Sequence, residues 1–209
     1  MLDWLGVEGD LIADAFERVF RRPGTPFGSA ALHWGGLHDG NEGVQWNVGL
    51  DPRGPERWIG VNLEGMKYNG WPIARLIAKE LKRATLPDFV ASRRELETVH
   101  LVMERDFWGG RFRVHFEKIA DAPLRDVTEA EWRRVLTEAR SCLGSPSGGR
   151  GRRTFTPKTG RGLAQDTEVT PHLTFRLSVP VVDSWERFIR EGIGRLDPLY
   201  EWTEQRVAA

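Results

Sequence analysis

From Val44 to Asp51 apolar and polar side chains alternate without a break. Val44, Trp46, Val48 and Leu50 fall on one side of an extended chain, and Gln45, Asn47, Gly49 and Asp51 on the other. Arg57 to Glu64 repeats the period, with Ile59, Val61 and Leu63 set against Trp58, Gly60, Asn62 and Glu64. Pro52, Arg53, Gly54 and Pro55 separate the two runs and read as a hairpin loop. Directly opposed residues of an antiparallel pair share a face, so the apolar sets coincide only when Trp46 is matched with Val61 or with Leu63. Either register buries one face and leaves a polar floor of Gln45, Asn47, Asn62 and Glu64, with room above Gly49 and Gly60. Such a floor is a recessed binding surface or simply the wetted face of an antiparallel sheet. Trp58, on the polar side, calls for cover.

Helical spacing governs other stretches. Leu11, Ile12, Ala15, Phe16, Val19 and Phe20 predict an amphipathic helix over Asp10 to Arg22, stopped by Pro23. A weaker strand is expected from about Phe27 to Trp34. Pro72 to Ala84 reads as a helix with Ile73, Leu76, Ile77 and Leu81 inward and Arg75, Lys79, Lys82 and Arg83 outward, Glu80 being the only acid on that side. Thr98 to Phe107 and Phe112 to Ile119 form a second expected hairpin around Gly109 and Gly110; closing it at Trp108 and Arg111 sets Glu104 opposite His115 and Asp106 opposite Arg113. Thr128 and Glu131 make a capping box for a helix running to Leu143, with Gly144 as its stop. Leu173, Phe175, Leu177 and Val179 alternate as a late strand, and Asp183 with Glu186 begins a final helix.

These elements predict an α+β fold: a mainly antiparallel or mixed sheet of two hairpins plus further strands, covered by amphipathic helices. At 209 residues, 40% hydrophobic and 29% charged, the chain is expected to form one domain spanning residues 1–209. Thirty basic and thirty acidic residues cancel, so overall charge names no partner and any electrostatic argument is local. Cys142 is the single cysteine, which excludes an intrachain disulfide framework and a cysteine-based metal site. With no basic start leading into an apolar run and no apolar stretch of about 20 residues, the expectation is a cytoplasmic protein without a membrane span.

Two basic regions carry the candidate chemistry. Residues 144–162 hold six glycines, five basic residues (Arg150, Arg152, Arg153, Lys158 and Arg161) and no acid. That composition predicts a mobile loop in which guanidinium forks, threonine hydroxyls and glycine amides approach phosphates. The other region is the helix face of Arg75, Lys79 and Arg83. Together they make nucleic acid the expected partner, bound through its phosphate backbone. The G-x-x-x-x-G-K-[ST] phosphate-loop pattern is absent.

The order helix, strand, strand, strand, helix, strand over residues 10–106 is similar to the core order of restriction-endonuclease-like nucleases. That resemblance implies carboxylates holding a divalent metal and a lysine acting on water, with an acid-x-lysine triplet in the third strand. Here Glu64, Gly65, Met66 and Lys67 carry the acid-lysine pair one residue too far apart. The candidate cluster is then Asp39, Glu42 and Glu64 as magnesium ligands, with Glu64 and Lys67 as the catalytic pair of a magnesium-dependent phosphodiesterase. The alternative reading is a non-enzymatic protein-binding module that uses exposed tryptophans among Trp4, Trp34, Trp58, Trp71 and Trp108 as anchors.

Overall fold

In a computed structural model of the chain, residues 2–29, 34–51, 56–64, 71–109, 112–155 and 165–208 are described. Five α-helices, α1 (Gly6–Phe20), α2 (Pro72–Lys82), α3 (Leu86–Ala91), α4 (Glu129–Arg140) and α5 (Trp185–Val207), accompany nine strands. The strands are β1 (Thr25–Ser29), β2 (Trp34–His38), β3 (Val44–Asp51), β4 (Glu56–Glu64), β5 (His100–Gly109), β6 (Phe112–Pro123), β7 (Leu143–Ser145), β8 (Gly148–Phe155) and β9 (Gln165–Val179). They form one antiparallel sheet in the order β1-β2-β3-β4-β9-β5-β6. β8 pairs with the first part of β9, along the same edge that β4 occupies farther on, and carries β7 beside it. The α+β architecture expected from the sequence is the one observed.

The sheet's apolar face and the helices share one core. Trp46, Val48, Ile59, Val61, Leu101, Met103, Leu173 and Phe175 from the strands meet Phe16, Ile73, Leu76, Trp132, Leu136, Ile189, Leu199 and Trp202 from the helices. β3 and β4 pair with Trp46 opposite Val61, one of the two registers that the apolar pattern allows. The fit of the apolar sets explains why: a slip by one residue would send every core side chain to the other face.

Several local expectations change. Two strands, β1 and β2, stand where one was expected between Phe27 and Trp34, so four strands separate the first two long helices where the nuclease-like order has three. α4 does begin at its capping box, with the Thr128 hydroxyl accepting from the Glu131 amide at 3.2 Å. It ends at Arg140, and Gly144 lies in β7. The described part of the glycine-rich basic segment, up to Phe155, is drawn into β7, a turn and β8; residues 156–162 lie outside the described residues.

The second hairpin turns one residue later than expected and carries two irregularities, between Met103 and Glu104 and between Phe107 and Gly109. Each bulge advances one strand against the other. The later turn moves the partners by two residues and the irregularity between Phe107 and Gly109 by one more, so Glu104 faces Lys118 rather than His115, and Asp106 faces Phe116 rather than Arg113. Among the described residues no helix is long and apolar enough to cross a membrane.

Candidate functional site

The face of the sheet turned away from the helices is the polar floor read from β3 and β4, now extended across seven strands. Its centre is a row of hydrogen-bonded side chains. The Thr174 hydroxyl donates to Asn62 Oδ1 at 3.0 Å, Asn62 Nδ2 donates to Gln45 Oε1 at 3.2 Å, and Gln45 Nε2 donates to the Asn41 carbonyl at 2.7 Å. Gln45 and Asn62 are fully buried, which an amide tolerates only when its polar atoms are paired.

Trp58 fills the space that Gly49 and Gly60 leave. A Cβ on Gly49 would lie 3.1 Å from its Cζ2, and one on Gly60 3.6 Å from its Cζ3. Phe27 packs against the indole at a centroid distance of 6.0 Å, and the Arg176 guanidinium lies over it at 5.7 Å. The glycines thus seat an aromatic side chain of the protein itself, and the cover that Trp58 requires comes from β1 and β9.

Aromatic rings stand at both ends of this face. Phe27 is 6.3 Å from the His38 ring on one side, and Phe116 is 6.2 Å from the His172 ring on the other. His172 on β9 is in register with Glu104 on β5 and with Glu64 on β4. Arg176 is in register with His100, whose Nδ1 lies 3.4 Å from the Asp121 carboxylate. Asp121 also pairs with Lys118, and although burial works against it, the Lys118 ammonium and the His100 ring hold its carboxyl below the usual range. Two polar atoms of this face, Asn47 Oδ1 and His172 Nδ1, are buried without a hydrogen-bond partner in the structure. An unpaired buried acceptor costs about 1–3 kcal/mol.

The residues expected from the sequence to hold magnesium are placed apart. Asp39 is buried at the end of β2, where its carboxylate accepts from the Asn41 amide at 3.3 Å and from Asn41 Nδ2 at 2.7 Å, and pairs with Arg22 at 3.4 Å. Asn41 in turn reaches the hydroxyl of Tyr200, which stacks on Trp46 on the helix-covered side. Burial pushes the Asp39 carboxyl above its usual range, against the opposing pull of the Asn41 amide and Arg22. Burial together with the carboxylates of Glu204 and Asp39 pushes the Tyr200 hydroxyl up to about 12.

The Asp39 amide donates to Trp46, and Trp46 faces Val61. Glu64 is therefore two strands across and three residues along, a backbone separation of roughly 14 Å at ordinary sheet spacings. Glu42 is exposed. The Glu64 side chain and Lys67 lie outside the described residues. Among the described residues no group of three or more His, Cys, Asp or Glu side chains is placed to hold a metal ion. Asp39 is engaged with Asn41 and Arg22 on the helix-covered side of the sheet.

Most of the expected phosphate-binding cations that are described have internal partners. Arg150 pairs with Glu168 at 2.7 Å and Arg152 with Asp166 at 2.7 Å, both across the β8–β9 ladder, and Arg153 donates to Ser141. On α2, Arg75 donates to the Val207 carbonyl at 3.1 Å and Lys79 to the Ala208 carbonyl at 2.8 Å. They cap the C-terminal end of α5, where unpaired carbonyls and the helix dipole favour cations. Arg83 is exposed just past α2, and Lys158 and Arg161 lie outside the described residues.

Of the tryptophans considered as partner anchors, Trp58 is buried and Trp71 packs on Gly148; the side chains of Trp4, Trp34 and Trp108 lie outside the described part. Sequence reading passed over Arg176, His172 and Thr174, because only the insertion of β9 between β4 and β5 brings them to this floor. The strict alternation of Thr170, His172, Thr174 and Arg176 against Val169, Leu173, Phe175 and Leu177 was the available signal. Comparison with family models, with curated proteins and with solved structures yields no match to this chain.

Proposed function

We propose that this protein binds single-stranded nucleic acid on the helix-free face of its sheet. The observation that carries the reading is the combination on that face of aromatic rings (Phe27, His38, Phe116 and His172) and cations (Arg176 and Lys118). Rings set among polar groups on an antiparallel sheet suit stacked bases.

This reading moves the contact surface away from α2 and the β7–β8 segment, where Arg75, Lys79, Arg150 and Arg152 are already engaged within the chain. It is a reading of binding. Cleavage with magnesium is left out of it, since Asp39 belongs to a different side of the sheet from the proposed surface. The protein-module alternative gains no support from Trp58 or Trp71, which the fold uses for itself. A lone buried thiol, Cys142, accords with a reducing compartment, and a cytoplasmic location forms part of the proposal.

The test is fluorescence anisotropy with labelled single-stranded DNA and RNA at low salt. Phe116→Ala is expected to weaken binding by about 1–3 kcal/mol, the range for losing one stacked base. Lys82→Ala, on the exposed end of α2, is expected to leave affinity unchanged. No binding of either oligonucleotide, or equal losses in the two variants, overturns the assignment.

A further inference from the structure

A separate recess opens between α3 and the last turns of α5, about 300 Å³ in volume. Its walls carry a ladder of alternating cations and rings. The Arg93 guanidinium lies 3.8 Å over the Phe89 ring, Phe89 stands 5.9 Å from Trp202, and the Arg206 guanidinium lies 4.6 Å over Trp202. The two arginines differ in how far their donors are used. Arg206 donates to Glu80 at 3.3 Å, to the Thr85 hydroxyl at 2.7 Å and to Gln205 Oε1 at 3.3 Å, so each of its nitrogens is engaged. Among the described residues Arg93 uses only Nη1, toward the Phe89 carbonyl at 3.0 Å and the Ser92 hydroxyl at 2.7 Å.

Two sets of N–H donors on this recess have no partner among the described residues: Nε and Nη2 of Arg93 and the amide nitrogen of Gln205. Trp202 is 2% exposed and its Nε1 is buried without a partner. With no exposed surface, that N–H is out of a ligand's direct reach, while the ring it belongs to lines the recess and reports on it. Acceptors are scarce by comparison, the Glu201 carboxylate being the one charged acceptor on the lining. A wall rich in donors and guanidinium suits an oxyanion, while Phe89 and Pro198 offer apolar surface to a flat body.

We infer that the α3–α5 recess binds a small molecule that combines an oxyanion, a flat ring and a hydroxyl or amino donor. The oxyanion takes Arg93 and Gln205; the ring lies on Phe89 and Pro198; the donor meets Glu201. Phosphate and carboxylate present the same chemistry to these groups, and a nucleoside monophosphate and an aromatic amino acid are its two natural carriers. The site is independent of the sheet face assigned to nucleic acid.

The experiment follows the indole N–H resonance of Trp202 in the ¹⁵N-labelled full-length protein, assigned by Trp202→Phe, during titration with AMP and, separately, with phenylalanine. A saturable shift with AMP identifies the phosphate carrier and a shift with phenylalanine the carboxylate carrier. Arg93→Gln is expected to weaken the effective probe by about tenfold or more, as for loss of a charge-assisted hydrogen bond, whereas Arg94→Gln on the adjacent exposed position leaves it unchanged. The dispersion of the remaining indole resonances reports that each variant is folded. A Trp202 resonance unmoved by either probe, or moved equally in Arg93→Gln, overturns the inference, as does the same shift with inorganic phosphate alone, which would mark an adventitious ion only.

Discussion

Glu80 illustrates how far one side chain can depart from its helical address. Read along α2 it shares the outward arc with Arg75 and Lys79, yet it is 1% exposed. Its carboxylate accepts from the Thr85 amide at 2.9 Å and hydroxyl at 2.7 Å, the Leu86 amide at 3.2 Å, Trp132 Nε1 at 3.0 Å and Arg206 Nε at 3.3 Å. One acid thereby ties α2 to α3, α4 and α5. Glu80→Ala strands an arginine and several donors in the interior, and is expected to lower unfolding free energy by about 3–5 kcal/mol in urea denaturation. A loss below about 1 kcal/mol would show that these groups find water instead. Asp39 gives a prediction in pH. Its folded-state carboxyl lies above the usual range because of burial, so the native chain binds the proton more tightly than the unfolded one. Its contribution favours folding when protonated and is lost as pH rises from the ordinary carboxylate range through the folded value. Asp39→Asn is expected to flatten that decline, measured as the urea midpoint against pH; a wild type that gains on the variant with rising pH would contradict the sign.

Elements are shaped by what they pack against. α5 runs 23 residues with Pro198 inside it, and contributes Trp185, Ile189, Leu196, Leu199 and Trp202 to the core. Gly192 lets the helix approach β4: a Cβ there would overlap Cγ2 of Ile59. Two residues on, Gly194 has open space around it. Gly194→Ala should stabilise the protein by about 0.5–1 kcal/mol through helix propensity alone. Gly192→Ala meets the same gain but adds overpacking of about 1–3 kcal/mol, so its net effect is expected to be destabilising. Thermal denaturation of the pair separates close packing from propensity, and equal behaviour would mean that Ile59 yields freely. The β5–β6 hairpin shows the complementary effect. Gly109 and Gly110 indicated a hairpin there, but the closing pair is Gly109 with Phe112 rather than Trp108 with Arg111, and the register was not readable because bulges are set by strain and packing in the finished sheet rather than by composition.

At the scale of the whole molecule, charge is laid out for cohesion. Cations that cluster in the sequence are distributed over the β8–β9 ladder and the end of α5, where carboxylates and helix carbonyls already meet them. A nucleic-acid complex on the sheet face would consequently release few counterions. The expected dependence of log affinity on log salt has a slope no steeper than about −2, with stacking supplying most of the energy. A slope near −5 would instead return the contact surface to the basic segments. The helix-free face owes its existence to β9, which enters between two hairpins formed much earlier in the chain and carries Thr174 and Arg176 into contact with Asn62 and Trp58.

Local sequence pattern determined the α+β class, a choice between two β3–β4 registers, the capping of α4 and the inward stripes of α1 and α2. Each depends on residues within a few positions of one another, or on a single pair of neighbouring strands. Tertiary structure decided the partners of Arg150 and Arg152, the burial of Glu80, the separation of Asp39 from Glu64 and the filling of the glycine hollow by Trp58. Those outcomes depend on which distant segments become neighbours, and a side chain's charge or ring is compatible with solvent, an internal partner or a ligand until that neighbourhood exists.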